Sequence, residues 1–76
     1  EISPTLAQTH IIIKGLHTDD KIIVYDISGH ILYADIAPKT ESEDSKQIDI
    51  SDFQAGTFIV CVLRGHRVFS KKCIKK

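Results

Sequence analysis

The residues that could do chemistry in this chain are few, and their spacing argues against most of it. Cys61 and His66 are of the types that pair as thiol nucleophile and general base. A thiol attacks only as the thiolate, and the sequence around Cys61 offers no helix N-terminus or orienting carboxylate to lower its pKa. Asp26, Ser28 and His30 supply the residue types of a hydrolase triad, but they straddle a single turn. A working triad draws its members from separate parts of a fold, so these residues read as a bend capped by its own side chains. His10, His17, His30 and His66 lack His-x-x-x-His spacing, and no Cys-x-x-Cys accompanies them. That argues against zinc. Asp19-Asp20 and Glu41-Ser42-Glu43-Asp44 could offer oxygens to calcium, but neither matches the Asp-x-Asp-x-Asp-Gly loop, and both read as solvated loops. A glycine-rich phosphate loop is missing, and the aromatics are not interleaved with arginine as on an RNA-binding sheet. The chain is therefore expected to hold no catalytic centre, no cofactor and no metal.

Composition points the same way. The 76 residues are 42% hydrophobic, with three Phe and neither Trp nor Met, so a core must be assembled mainly from Ile and Val. β-Branched side chains suit strands. Ten basic residues balance ten acidic ones, which leaves no net field to steer the chain toward nucleic acid or an anionic membrane. The charge is uneven locally: Glu41 to Asp44 is acidic, while Arg64, Arg67, Lys71, Lys72, Lys75 and Lys76 crowd the end. The longest apolar runs, Ile11 to Ile13 and Phe58 to Leu63, fall far short of the roughly 20 residues a membrane-spanning helix needs. Glu1-Ile2-Ser3-Pro4 has neither the basic start nor the apolar run of a secretory signal peptide.

The elements that must position these residues are short strands. Period-two alternation and turn residues mark Thr5 to Gln8, His10 to Lys14, Lys21 to Ile27, His30 to Ala37, Gln47 to Ile50, Thr57 to Arg64 and Arg67 to Ile74. Seven strands at this spacing predict an all-β, antiparallel, immunoglobulin-like sandwich. Gly29 and Gly65 punctuate two hairpins, Gly15 to Asp20 makes a looser polar link, and Lys39 to Lys46 makes an exposed loop. Ser51 to Phe53 is expected to form one helical turn before Gly56, with Phe53 turned inward. Both faces of the Thr57 to Arg64 strand are apolar, so it is expected at the centre of a sheet, one side only partly covered.

The hairpin about Gly65 also decides the cysteines. A two-residue turn at Gly65-His66 sets Cys61 opposite Ser70 and Phe58 opposite Cys73, with the thiols on opposite faces. A three-residue turn puts them on one face but two residues out of register, about 7 Å apart along the strand and about 8 Å once the spacing between strands is added. A disulfide tolerates a Cα separation of at most about 7 Å, so either register predicts two free thiols.

Three segments, taken in order, resemble the C-terminal sorting domain of cargo proteins of the type IX (Por) secretion system of Bacteroidota. Ile23-Val-Tyr-Asp-Ile-Ser-Gly-His-Ile-Leu32 is similar to the family's hydrophobic-Tyr-Asp-hydrophobic-Ser/Asn-Gly-Arg-x-Val strand-turn-strand. Ile48-Asp-Ile-Ser-Asp-Phe-Gln-Ala-Gly-Thr-Phe-Ile-Val60 is similar to Ile-Asp-Leu-Ser-x-Leu-x-x-Gly-x-Tyr-hydrophobic-Val. Val68-Phe-Ser-Lys-Lys-Cys-Ile-Lys-Lys76 is similar to the closing Lys-Lys-hydrophobic-hydrophobic-x-Lys strand. His30 stands where Arg or Lys is usual, Phe58 where Tyr is common and Cys73 at an aliphatic position, and Glu1 to Leu16 matches least well.

The resemblance implies a single C-terminal sorting domain over residues 1–76, with 1–9 as linker and first strand. Such a domain carries a covalently attached N-terminal cargo through the periplasm. It is recognised by an outer-membrane translocon, and a sortase-like peptidase usually cuts it off ahead of Thr5. The cargo ends at the outer membrane surface or outside the cell. On this reading Lys71, Lys72, Lys75 and Lys76, on a basic edge strand, are the recognition element, and Gly29, Gly56 and Gly65 are structural turns. Open strand edges also allow an edge-to-edge dimer. The competing expectation is an immunoglobulin-like adhesion module that binds through Gly15 to Asp20 or Lys39 to Lys46.

Overall fold

The structure of the chain, a computed structural model, describes residues 1–36 and 45–76. These segments form eight strands: β1 (Ile2–Ser3), β2 (Leu6–Ala7), β3 (His10–Ile13), β4 (Lys21–Asp26), β5 (Ile31–Ile36), β6 (Lys46–Asp49), β7 (Gly56–Arg64) and β8 (Arg67–Lys75), the longer ones built on alternating apolar residues. They form a three-stranded sheet of order β1-β3-β6 and a five-stranded sheet of order β2-β8-β7-β4-β5. The all-β, sandwich-like expectation holds, with β7 at the centre of the larger sheet. Three details differ. An extra two-residue strand, β1, precedes the seven expected, too short for alternation to reveal. The β2–β8 pair is parallel, because the chain changes sheets between Ser3 and Thr5 and reaches β8 from its far side. Ser51 to Phe53 is a turn closed by Phe53 N–H donating to the Ile50 carbonyl at 2.9 Å and not a helical turn. Of the loop expected over Lys39 to Lys46, residues 39–44 lie outside the described residues, and Lys46 opens β6.

Period-two burial builds the core between the sheets. Ile11 and Ile13 of β3 and Ile48 of β6 face Ile22 and Val24 of β4, Phe58, Val60 and Val62 of β7 and Cys73 of β8, all buried. Phe53 plugs one end, its ring edge-on to Phe58 with centroids 5.5 Å apart. The opposite end is closed by charge. The link from β3 to β4 crosses between the sheets, and Asp20 at its end is only 1% exposed. Arg64 at the end of β7 donates from Nε and Nη2 to the Asp20 carboxylate at 3.0 and 2.8 Å, and from Nη2 to the Gly15 carbonyl at 3.0 Å. His17 N–H adds a further bond to Oδ2 at 2.8 Å. Among the described residues no buried side-chain polar atom is left without a partner, as a small core requires. Near the open side of the sandwich Lys46 of β6 meets Asp35 of β5 at 2.8 Å, a second tie between the sheets.

These contacts set the response to pH. The Asp20 carboxyl is held below its usual range, first by the Arg64 hydrogen bonds, with burial acting against them. The Asp35 carboxyl is drawn down to about 2, chiefly by Lys46. A carboxylate whose pKa is depressed on folding contributes stability that is present above its unfolded value and lost as the pH falls through the folded one. Asp20→Asn is expected to lower the thermal midpoint at neutral pH by roughly 5–10 °C. The deficit should shrink as calorimetric scans are taken below the ordinary aspartate pKa of 3.8. Phe58→Ala empties the middle of the core and should cost about 3–5 kcal/mol in urea unfolding. Ile27→Ala, at a side chain 74% exposed, should change stability by less than about 0.5 kcal/mol.

Candidate recognition surface

Gly65 and His66 make a two-residue turn, with Gly65 at φ 57°. The turn pairs Arg64 with Arg67, Cys61 with Ser70 and Phe58 with Cys73. Of the two registers open to the sequence, this is the one that separates the thiols across the sheet. Both cysteines are free and buried. Cys61 Sγ lies 3.4 Å from the Tyr25 hydroxyl, while His66 is exposed at the hairpin tip, so the imagined nucleophile and base are not brought together. Burial pushes the Cys73 thiol up, the opposite of what reactivity needs.

The same alternation divides the terminal lysines. Phe69, Lys71, Cys73 and Lys75 face inward with Val62, Val60, Phe58 and Gly56, whereas Val68, Ser70, Lys72 and Ile74 face outward. Lys71 crosses to the other sheet and donates from Nζ to the Ile2 carbonyl at 2.7 Å. Lys75 is half-buried, its Nζ 3.4 Å from the Lys76 carbonyl. Lys72 and Lys76 are exposed. The four cations thus form no single patch.

Nor is β8 simply an edge strand. Leu6 and Ala7 of β2 pair with Ile74 and Lys75, through Ile74 N–H to the Thr5 carbonyl and Lys76 N–H to the Ala7 carbonyl, both at 2.8 Å. Leu6 and Ala7 cap the end of β8 but not its length. Even-numbered residues therefore turn their backbone groups toward this side. At Val68, Ser70 and Lys72 no strand of the described residues lies beside them.

The remaining motifs are turns. Asp26 Oδ1 accepts from the N–H groups of Ser28 and His30, each at 2.9 Å, and Gly29 adopts φ 91°. Its carboxyl is held low first by the His30 amide, and His30 Nδ1 lies 3.3 Å from Oδ2. Asp49 Oδ1 accepts from both N–H and Oγ of Ser51, at 2.9 and 2.7 Å. Gly56, at φ 131°, starts β7. A shallow groove of about 810 Å³ separates these two turns. The Asp26 and Asp49 carboxylates are tied into their own bends, and among the described residues no group of three or more His, Cys, Asp or Glu could hold a metal ion. Asp20, missed in the sequence because it looked like a solvated loop acid, is the best-buried charge among the described residues. Arg64, at the end of an apolar strand, was the available signal.

Gly29→Ala tests whether the Tyr-Asp-x-Ser-Gly segment works as a turn. It forces a Cβ into the left-handed region and should cost about 1–2 kcal/mol in denaturant unfolding.

No curated protein matches the chain. A family model does, the secretion system C-terminal sorting domain, over residues 3–76. The matched span takes in both Asp-capped turns and the β7–β8 hairpin. The chain therefore belongs to the C-terminal sorting domains of the type IX (Por) secretion system, non-catalytic signals that direct the secretion of the proteins carrying them.

Proposed function

We propose that residues 1–76 act as one unit, an export address read by an outer-membrane translocon through the outer half of β8 and its lysines. The cargo is attached covalently ahead of Glu1, crosses the periplasm, and reaches the outer membrane surface or the medium. Secretion to the cell exterior and engagement of the secretion machinery follow from the family. The finer reading is supported above all by the backbone groups at Val68, Ser70 and Lys72, beside which no strand of the described residues lies, next to exposed cations. An extended partner segment can add to such an edge through main-chain hydrogen bonds, with charge fixing its register.

A sortase-like peptidase needs extended, unpaired chain. Ile2 is buried, and Glu1 exchanges backbone bonds with Lys14 at 2.6 and 2.8 Å. These contacts favour a cut ahead of Glu1, in the linker to the cargo.

The test is a reporter fused to residues 1–76 in a Bacteroidota host, with Lys71, Lys72, Lys75 and Lys76 all changed to Gln. Surface-exposed reporter should fall by about tenfold or more and accumulate in the periplasm, while the purified variant stays folded by circular dichroism. Normal surface delivery of the folded variant would refute the role given to the lysines. Substitution is preferable to truncation, because Ile74 and Lys76 hold β2.

A further inference from the structure

Among the described residues, one face of the five-stranded sheet has no covering layer. The three-stranded sheet packs against the face bearing Ile22, Val24, Phe58, Val60 and Val62. On the opposite face alternation sets Ile23 and Tyr25 of β4, Ile59, Cys61 and Leu63 of β7, and Val68 and Ile74 of β8. Leu6 continues this surface on β2, as do Ala34 and Ile36 on β5. Leu6 is 53% exposed, Ile36 54%, Val68 60% and Ile74 45%. An antiparallel sheet with one solvated side normally carries polar residues there. Here the polar members among the described residues are Thr57, Ser70, Lys21 and Lys72, and none is acidic.

We infer that this face is the interface of a symmetric dimer, in which two copies of the chain pack their five-stranded sheets face to face. Two observations choose a second copy as the occupant. The first is area. Five strands about 4.8 Å apart, with rows of about six residues at 3.3 Å each, give a face of about 450 Å² before side-chain relief. Two such faces bury about 900 Å² before that relief is added, close to the roughly 1,000 Å² at which a specific, weak interface begins.

The second is self-complementarity in the register. Lys72 and Tyr25 flank Ile59 on opposite sides, Ser70 and Ile23 flank Cys61, and Val68 and Lys21 flank Leu63. A two-fold axis along β7 carries β8 of one copy over β4 of the other at the same height. Lys72 then lies over the Tyr25 ring, where a cation and an aromatic face attract. Ser70 meets Ile23, and Lys21 lays its stem along Val68 with its amine at the rim. The like-charged lysines never face each other. An edge-to-edge dimer, by contrast, would leave this surface in water.

The inference does not depend on the role proposed for the lysines in export, and its test needs no secretion machinery. Sedimentation equilibrium of the 76-residue chain should give a monomer–dimer equilibrium between about 5 μM and 1 mM, the range expected of so small an interface. Ile23→Lys should weaken dimerisation by about 30-fold or more, while Ile27→Lys, in the exposed turn outside the face, should leave it unchanged. Because Ile23→Lys could also loosen the fold, isotope-filtered nuclear Overhauser contacts on the unmodified chain provide a second readout. The Lys72 methylenes of one copy should contact the Tyr25 ring of the other. A chain monomeric throughout this range overturns the inference. So does a dimer whose intermolecular contacts run between β5 or β8 edges.

Discussion

The pairing of β7 with β8 through the two-residue turn at Gly65-His66 is the constraint on which the rest of the structure depends. Side chains alternate along a strand, so a slip of one residue would exchange the faces of every β8 residue. In the observed register Cys73 enters the core opposite Phe58, Lys71 reaches the Ile2 carbonyl, and Phe69 lies under the Arg64 guanidinium, 5.2 Å from it. A slipped β8 would offer Lys72 to the core in place of Cys73 and would break the bond that ties β1 to the larger sheet. Burying an unpaired ammonium is far more costly than any single apolar contact gains. The register is therefore enforced by what it excludes as much as by what it packs.

Much of this was legible in the sequence. Seven of the eight strands lie within about two residues of where alternation and turn residues put them, because strand patterning is local. The two candidate hairpin registers both kept the thiols apart, and the structure takes the shorter turn. What was not legible depended on contacts distant in sequence. Nothing near Asp20 announces that Arg64, 44 positions away, will bury it, and a pair of adjacent acids between strands reads by default as solvated. The cover that Leu6 and Ala7 give to the end of β8 is equally non-local. Hence β8 read as a plain edge, and its lysines as one patch, when alternation and the bond to Ile2 divide them. Ser51 to Phe53 was misread for a different reason: Asp49 and Ile50 satisfy its backbone with single turn bonds, leaving nothing to propagate a helix.

The family's sequence motifs acquire physical content from this geometry. Asp26 and Asp49 each spend their carboxylates on amide groups of the following residues, and Gly29 and Gly56 take backbone conformations that a Cβ disfavours. The motifs thus encode the bends that align β4, β5 and β7, so a match to the family reports a scaffold. What distinguishes the surface is carried elsewhere, on the half-open side of β8 and on the apolar outer face of the larger sheet. A sorting domain has to hold one rigid shape while differing from the varied cargo it follows, and fixed bends with a distinctive exposed sheet meet both needs.

The central claim is the β7–β8 register, and the most direct measurement of it is the set of Hα–Hα nuclear Overhauser contacts across the hairpin in the folded chain. The account predicts contacts joining Cys61 to Ser70 and Ile59 to Lys72, the closely spaced pairs of this antiparallel ladder. Contacts joining Cys61 to Phe69 or to Lys71 would mean a different turn and would contradict the assignment of faces on which the account rests.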